Sequence, residues 1–193
     1  HSGTILEIGP FSKPQFAGPH VAYFDVLDAE QIRVEAERQA QSCEHIPAFI
    51  DYVERDVALG DISRKFDIVY SSHAIEHTPD VYGHMQSVHK LLGERGRYFL
   101  AIPDKRYCFD HYKAPSTTAD AIAAHQTGQK ECPLDLWIER YTHGSHNDSV
   151  RHWAGDHGPP PNQVNAAKII TAMGEYEDEA KRAKMSPHIW FFT

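Results

Sequence analysis

Three short segments in a fixed order constrain this chain most strongly. The first, Thr4 to Pro10, is an apolar strand that carries one acid, Glu7, before a glycine turn. The second, Val21 to Asp25, is an apolar strand that ends in an acid, and the third, Phe66 to His77, is an apolar strand that runs into a polar segment. Parallel α/β sheets bind ligands at the carboxyl ends of their strands. The order therefore predicts a ligand site built from these three strand ends.

Length, charge and cysteine content narrow the class of protein. A chain of 193 residues can bury a core as one domain, and its net charge of −8 disfavours nucleic acid as a partner, because phosphate contacts need a basic face. Cys43, Cys108 and Cys132 have no Cys-x-x-Cys spacing, which predicts reduced thiols and a cytoplasmic location. The sequence has no long apolar run, so we expect a soluble protein with no membrane partner.

Helical patterns separate the strands. Asp28 is the predicted N-cap of a helix that reaches about residue 40, with Gln31 in the capping-box position. Apolar residues at helical spacing between positions 81 and 92 predict a second helix, with Gly93 as its left-handed C-cap. Further strands are predicted over 49–53 and 97–102. Strands that alternate with helices predict an α/β fold with an open parallel sheet.

The pattern changes after the fifth strand. Residues 104–187 are rich in His, Pro and Gly, with helices predicted near Thr117 to Gln126 and Asn165 to Lys184. A structureless loop of that length would be unusual. We therefore expect a helical insertion that caps the site.

Together these segments resemble a class I S-adenosylmethionine-dependent methyltransferase. The resemblance is to the bacterial methyltransferase-domain type, through Ser-His-Ala-Ile-Glu-His-Thr-Pro-Asp (Ser72 to Asp80) followed by Ala-Ile-Pro-Asp-Lys-Arg (Ala101 to Arg106). It implies a Rossmann-like sheet of order 3-2-1-4-5 in a single domain over residues 1–193, with 104–187 as the insertion. It also implies S-adenosyl-L-methionine as cofactor, and an oxygen or nitrogen of a small-molecule or carbohydrate acceptor as the methyl acceptor.

The resemblance implies a set of cofactor-binding residues. Glu7, Gly9 and Pro10 match the first half of the cofactor turn, where Glu7 would bind the donor ammonium directly or through water. Phe11 and Lys13 stand where the family has its second and third glycines.

The other cofactor residues follow later strands. Asp25 would accept hydrogen bonds from the ribose hydroxyls, although a surface acid beside a helix is the alternative. Asp56 would take the adenine amine, the Val57 N–H would reach a ring nitrogen, and Ser72 and His73 would lie beside the methionine portion.

Catalysis and acceptor binding are assigned to residues near the last strands. His73 or His77 would be the base, and Asp104 with Arg106 would orient the acceptor. Three alternatives stay open: Glu76 and His77 fix a helix start, Asp104 and Arg106 form an ion pair, and His73, Glu76 and His77 bind a metal as in some small-RNA and quinone methyltransferases. We predict no metal. For the histidines at 143, 146, 152 and 157, a solvated loop is favoured over a metal site.

Two rival functions remain. Phe11 supports a non-catalytic module that kept the fold without efficient cofactor binding, and an acid after the second strand also suits an NAD-dependent oxidoreductase. The family's last two strands have no counterpart in the sequence. We therefore expect residues beyond Thr193, the insertion or a second subunit in a homodimer to cover the edge of the fifth strand.

Overall fold

The computed structural model describes residues 3–161, 165–182 and 186–193. Contacts within the chain divide it into two compact units, here called the sheet unit and the helical unit. The sheet unit consists of His1–Ile75 and Tyr82–Ala101, and the helical unit consists of Glu76–Val81 and Ile102–Thr193. Whether the whole chain acts as one methyltransferase-like domain with an insertion at 104–187 stays a prediction.

The sheet unit contains one five-stranded sheet with the order β3-β2-β1-β4-β5 and parallel pairing throughout. This confirms the predicted Rossmann-like fold and strand order. The strands are Ile5–Ile8 (β1), Val21–Asp25 (β2), Tyr52–Val53 (β3), Phe66–Ser72 (β4) and Leu92–Ala101 (β5).

The central position of β1 explains its composition. All four of its residues are buried, because the strand pairs with β2 on one side and β4 on the other. Buried parallel strands are covered on both faces and so carry few polar residues. The core of the unit is apolar and includes Leu6, Phe24, Phe66, Val69 and Leu91.

Among the described residues, two α-helices lie in or enter the sheet unit, and they differ in how well the sequence predicted them. Helix α1 spans Ala29–Arg38, and Asp28 forms the predicted capping box with Gln31. Helix α2 spans Val81–Leu91 and is followed directly by β5 at Leu92. The prediction for Gly93 was wrong, because this glycine is part of the strand and does not have a positive φ.

The helical unit contains five α-helices among its described residues. They are Thr118–Thr127 (α3), Leu134–Thr142 (α4), Ser149–Trp153 (α5), Ala166–Glu177 (α6) and Glu179–Arg182 (α7). Helix α3 confirms the first predicted helix. The second predicted helix is divided at Asp178, and its last residues, 183 and 184, lie outside the described part of the chain. Helices α4 and α5 were not predicted from the sequence pattern.

The core of the helical unit forms around aromatic side chains. Trp137 of α4 is 1% exposed and packs with Ala172 of α6, Ile189 and Trp190.

All three cysteines of the chain are free thiols. Within 3–161, 165–182 and 186–193, no helix combines the length and apolar character needed to cross a lipid bilayer.

Strand β5 lies at one end of the described sheet. Phe99 and Leu100 on this strand are 49% and 39% exposed. The expectation that another segment or subunit covers this edge stays a prediction.

Gly96 allows β5 to approach β4 closely, and this closeness gives a test of the fold. A Cβ at position 96 would lie 2.9 Å from the carbonyl oxygen of Phe66 and 2.9 Å from the Gly93 nitrogen, both backbone atoms. We expect Gly96→Ala to lower the free energy of unfolding by about 1–3 kcal/mol through overpacking. Gly174→Ala is the control, because its Cβ would meet nothing within 4 Å in α6 and alanine is the better helix former. Equal stability of the two variants in urea unfolding would contradict this reading of β5.

Candidate functional site

The parallel register brings the carboxyl ends of three strands together in the sheet unit. Ile8 at the end of β1 pairs with Phe24 of β2 and with Ser71 of β4. The loops that follow Ile8, Asp25 and Ser72 therefore leave the sheet at the same edge. This edge is the candidate functional site predicted from the three sequence segments.

The Glu7 carboxylate lies within this edge and is only 2% exposed. It accepts hydrogen bonds from the backbone N–H groups of Gln15 (2.8 Å) and Phe16 (3.1 Å). Burial raises the pKa of Glu7, and these two hydrogen bonds oppose the rise. Glu7 thus fastens the loop after β1, and its predicted contact with a cofactor ammonium stays a prediction.

The turn after β1 keeps a glycine-like backbone at two positions. Gly9 has φ +69° and donates its N–H to the Phe24 carbonyl (2.9 Å), and a Cβ at Gly9 would lie 3.2 Å from the Cβ of Ala74. Phe11 has φ +40°, which is rare for a bulky residue. Pro10 is buried between them. The turn therefore retains a left-handed bend at Phe11, where the family has a glycine.

Asp25 is the buried acid at the end of β2. It is 8% exposed, and its Oδ1 accepts a hydrogen bond from the Leu27 N–H (2.9 Å). Burial raises the pKa of Asp25 to about 6, and the nearby Glu54 carboxylate adds to the rise. A buried carboxylate at this strand end has the chemistry needed to accept hydroxyl hydrogen bonds. The geometry does not fit the alternative of an exposed surface acid.

The two predicted adenine contacts lie in the loop after β3. Asp56 is exposed and lies 3.9 Å from the Arg55 guanidinium. The Val57 N–H donates to the Val53 carbonyl (3.1 Å), so an adenine nitrogen would have to share or replace that hydrogen bond. Both contacts stay predictions.

At the end of β4, Ser72 is half-buried and His73 is exposed. His73 has φ +51°, and its N–H donates to the Ala101 carbonyl (2.9 Å). Positive φ in a residue that is not glycine stores strain and often occurs at functional sites.

A chain of polar side chains beside β4 has no counterpart among the residues predicted from the sequence. The Tyr98 hydroxyl lies 2.9 Å from both Ser71 Oγ and His84 Nε2. Burial lowers the pKa of His84 to about 4, so the imidazole is neutral at physiological pH. Residues from β4, α2 and β5 form this chain, and no local spacing signals it.

In the helical unit, Asp104 and Arg106 form an ion pair. Asp104 accepts hydrogen bonds from the Arg106 backbone N–H (2.9 Å) and side chain (2.5–3.0 Å), and caps the short 3₁₀ turn Lys105–Tyr107. The hydrogen bond from the Arg106 side chain lowers the pKa of Asp104. This geometry fits the ion-pair alternative, and a role in binding the acceptor stays a prediction.

Glu76 and His77 meet the segment near the end of the chain. Glu76 is fully buried, and the ligand atoms of Glu76, His77 and His188 all lie within 4.8 Å of one another. His188 Nδ1 contacts the buried Asp110 carboxylate at 2.6 Å, and Asp110 pairs with Lys113 at 2.8 Å. Burial acts to raise the pKa of Asp110, but its bonds to His188 and Lys113 lower it. His188 has no signal in the sequence that links it to Glu76.

The histidine-rich stretch is more ordered than predicted. His152 is only 1% exposed, so the expectation of a solvated loop was wrong for this residue. Its Nδ1 lies 3.0 Å from His157 Nδ1, and the ring of His111 stacks on His157 with centroids 3.7 Å apart. His146 contributes its carbonyl, which accepts from His152 Nε2 (2.9 Å).

Comparison with known protein families finds a match that covers most of the sheet unit. Residues 15–100 match the family described as "Methyltransferase domain". The matched part contains β2 to β5 except the last residue of β5, together with α1 and α2. None of the curated proteins matches the chain. The family match supports a class I methyltransferase.

The raised pKa of Asp25 predicts how stability depends on pH. The folded state binds the proton of the Asp25 carboxyl group more tightly than the unfolded state does. Ionisation of Asp25 therefore destabilises the folded state as pH rises from about 4 to about 6. Above that window the effect is on the order of 3 kcal/mol. We expect the free energy of unfolding of Asp25→Asn, relative to wild type, to increase between pH 4 and pH 7 in urea titrations.

Glu37→Gln is the matched control for this measurement, because Glu37 is an exposed carboxylate on α1. Its difference from wild type should stay nearly constant over the same range. A pH-independent difference for Asp25→Asn would show that the folded state does not retain this proton.

Proposed function

We propose that this chain transfers a methyl group from S-adenosylmethionine to an oxygen or nitrogen of a small-molecule or carbohydrate acceptor. The observation that carries the proposal is the buried Asp25 carboxylate at the end of β2, beside the Gly9 turn, in a sheet of order 3-2-1-4-5. The match of residues 15–100 to a methyltransferase domain supports the same reaction class.

In this proposal the turn after β1 and the Asp25 carboxylate hold the cofactor. Gly9 presents no Cβ to the turn, and the positive φ of Phe11 keeps the bend despite its side chain. In this proposal Asp25 accepts hydrogen bonds from the two ribose hydroxyls. These hydrogen bonds are strongest when the carboxylate is ionised. Because the pKa of Asp25 is about 6, the carboxylate is mostly ionised at neutral pH.

The chemistry divides between positioning and proton removal. S-adenosylmethionine, when bound at this edge, would supply an electrophilic methyl group on its sulfonium. The acceptor atom would form a bond to the methyl carbon as the carbon–sulfur bond breaks, and S-adenosylhomocysteine would leave as the thioether. Alignment of the acceptor contributes most, and a base is needed where the acceptor proton is weakly acidic, as in a sugar hydroxyl. We assign the base to His73, which is exposed directly after β4. Asp104 and Arg106 orient a polar acceptor in this proposal.

Several attributes belong to the same proposal. The free thiols support a cytoplasmic location, and the exposed edge of β5 supports a homodimer. A bacterial source is proposed from the family resemblance alone. The net charge of −8 supports an acceptor other than nucleic acid.

Titration with S-adenosylhomocysteine and S-adenosylmethionine tests the cofactor assignment. We expect both to bind wild type, and Asp25→Ala to weaken binding about 10- to 100-fold by removing charge-assisted hydrogen bonds. Glu37→Ala, which removes an exposed carboxylate from the same unit, should bind as wild type does. If neither compound binds wild type, the non-catalytic module remains, and binding of NAD(H) instead would favour the oxidoreductase.

A second experiment tests the base. The acceptor is first identified from a panel of sugars, phenols and amines. With that acceptor, His73→Ala should form S-adenosylhomocysteine about 10²- to 10⁴-fold more slowly than wild type. Its affinity for S-adenosylhomocysteine should fall less than that of Asp25→Ala, since a base acts on the acceptor proton. His89→Ala, an exposed histidine on α2, is the control. Unchanged turnover in His73→Ala would remove the assignment.

A further inference from the structure

We propose that His111, His152 and His157 form a binding site for a divalent transition-metal ion, which we assign as Zn²⁺. One nitrogen of each imidazole lies within 4.8 Å of the nitrogens offered by the other two, and all three residues belong to the helical unit. His152 is buried, and His111 and His157 are half-buried. The proposal does not depend on methyl transfer, because it concerns other side chains and another ligand.

Contacts that do not involve these imidazoles hold the two segments that carry them. The Ser145 N–H donates to the Phe109 carbonyl at 2.8 Å, and the Tyr112 hydroxyl donates to the Gly158 carbonyl at 2.6 Å. Residues on both sides of His111 are thus bonded to residues before His152 and after His157. The framework brings the three rings together whether or not they contact one another.

A tight turn makes His152 and His157 face each other. The chain turns after α5 at Gly155, which has φ +86°. The Asp156 N–H donates to the Arg151 carbonyl at 2.9 Å, and the side chains of these two residues form an ion pair at 2.7 Å. As a result, His157 Nδ1 lies 3.0 Å from His152 Nδ1.

Two backbone carbonyls orient the rings of His111 and His152. His111 Nδ1 lies 2.8 Å from the Arg106 carbonyl, and His152 Nε2 lies 2.9 Å from the His146 carbonyl. A carbonyl can only accept, so these two ring nitrogens carry the proton. In the neutral imidazoles His111 Nε2 and His152 Nδ1 then present lone pairs. Histidines that bind metals are held in this way by a carbonyl or carboxylate on the other ring nitrogen.

The spacing of His152 from the other two rings matches that of ligands on a tetrahedral ion. Imidazole nitrogen binds Zn²⁺ at about 2.0–2.1 Å, so two rings on one ion have centroids about 5 Å apart and bound nitrogens about 3.3 Å apart. The centroid of His152 lies 5.3 Å from that of His157 and 5.4 Å from that of His111. The 3.0 Å between the Nδ1 atoms of His152 and His157 agrees with the same geometry.

The pair of His111 and His157 has to change when an ion binds. These rings stack with centroids 3.7 Å apart and planes inclined at 12°, so they would separate by roughly 1.5 Å to share an ion. The Nδ1 atoms of His152 and His157 share one proton in their hydrogen bond, and an ion would move it to His157 Nε2. Ion binding thus exchanges a ring stack for coordination, and experiment can separate the two.

The donor set selects the class of ion. Imidazole nitrogen suits Zn²⁺ and neighbouring transition metals, whereas Mg²⁺ and Ca²⁺ prefer oxygen ligands. The tetrahedral spacing around His152 favours Zn²⁺ among the transition metals. Three histidines on Zn²⁺ leave a fourth position for water or another ligand.

The test measures Zn²⁺ binding to the full chain after a chelator has removed bound metals. We expect one equivalent to bind by calorimetry, and Co²⁺ in its place to give the visible absorption bands of a tetrahedral site. His157→Ala and His111→Phe should each weaken Zn²⁺ binding by more than the roughly 100-fold that loss of an orienting residue can cause. His111→Phe keeps an aromatic ring against His157, so it removes a ligand and retains the stack.

Two control variants locate the site. His143→Ala removes a half-buried histidine from the same stretch, and His77→Ala removes a histidine of the metal set predicted from the sequence. Both should bind Zn²⁺ as wild type does. Absence of binding in wild type, unchanged affinity in His111→Phe, or loss of binding in either control would overturn the proposal.

A measurement on wild type keeps the test independent of how the variants fold. X-ray absorption of the Zn²⁺-loaded chain should show three imidazole ligands and no sulfur. A sulfur ligand would assign the ion to a cysteine, and fewer than three imidazoles would exclude the histidine site. Either result would overturn the proposal.

Discussion

Parallel pairing of β1 with β2 on one side and β4 on the other determines where the chemical groups of the sheet unit lie. Ile8 is level with Phe24 and Ser71, so the chain leaves all three strands at one edge. The Glu7 carboxylate then holds the loop after β1 through two backbone N–H groups. A strand shifted by one residue would turn its side chains to the other face. The cofactor assignment therefore depends on this register more than on any single side chain.

The sequence predicted well what depends on local pattern. Apolar runs that end in an acid or a turn located the strands, and Asp28 with Gln31 gave the start of α1, because these signals lie within a few residues. The strand order followed from the family resemblance. Gly93 was misread, because a glycine after a helix is usually a C-cap, whereas here β5 begins directly after α2 and contains Gly93. Gly96, later in the same strand, packs so closely against Phe66 that it needs a residue without a Cβ. That requirement comes from a neighbouring strand, which local spacing does not report.

In the candidate sites too, the sequence predicted features set by local pattern and not those set by packing between distant segments. Asp25 could be predicted, since its position at a strand end follows from the pattern, but its burial and raised pKa come from packing. The Ser71–Tyr98–His84 chain joins three elements. His188 could not be connected with Glu76 from spacing, because the contact between His77 and Pro187 joins residues 110 positions apart. The sequence-based metal alternative named His73, Glu76 and His77, and it stays a prediction.

Phe11 bears on whether the fold has kept its function. A bulky residue at positive φ costs on the order of 1 kcal/mol or more. Part of that cost is offset because the ring packs against the cluster of Ile32, Ala36 and Ile46. If the turn had only to connect β1 with the next segment, a relaxed backbone at residue 11 would be more stable. Retention of a left-handed bend beside Gly9, against this cost, favours a turn still shaped for a ligand over a non-catalytic module.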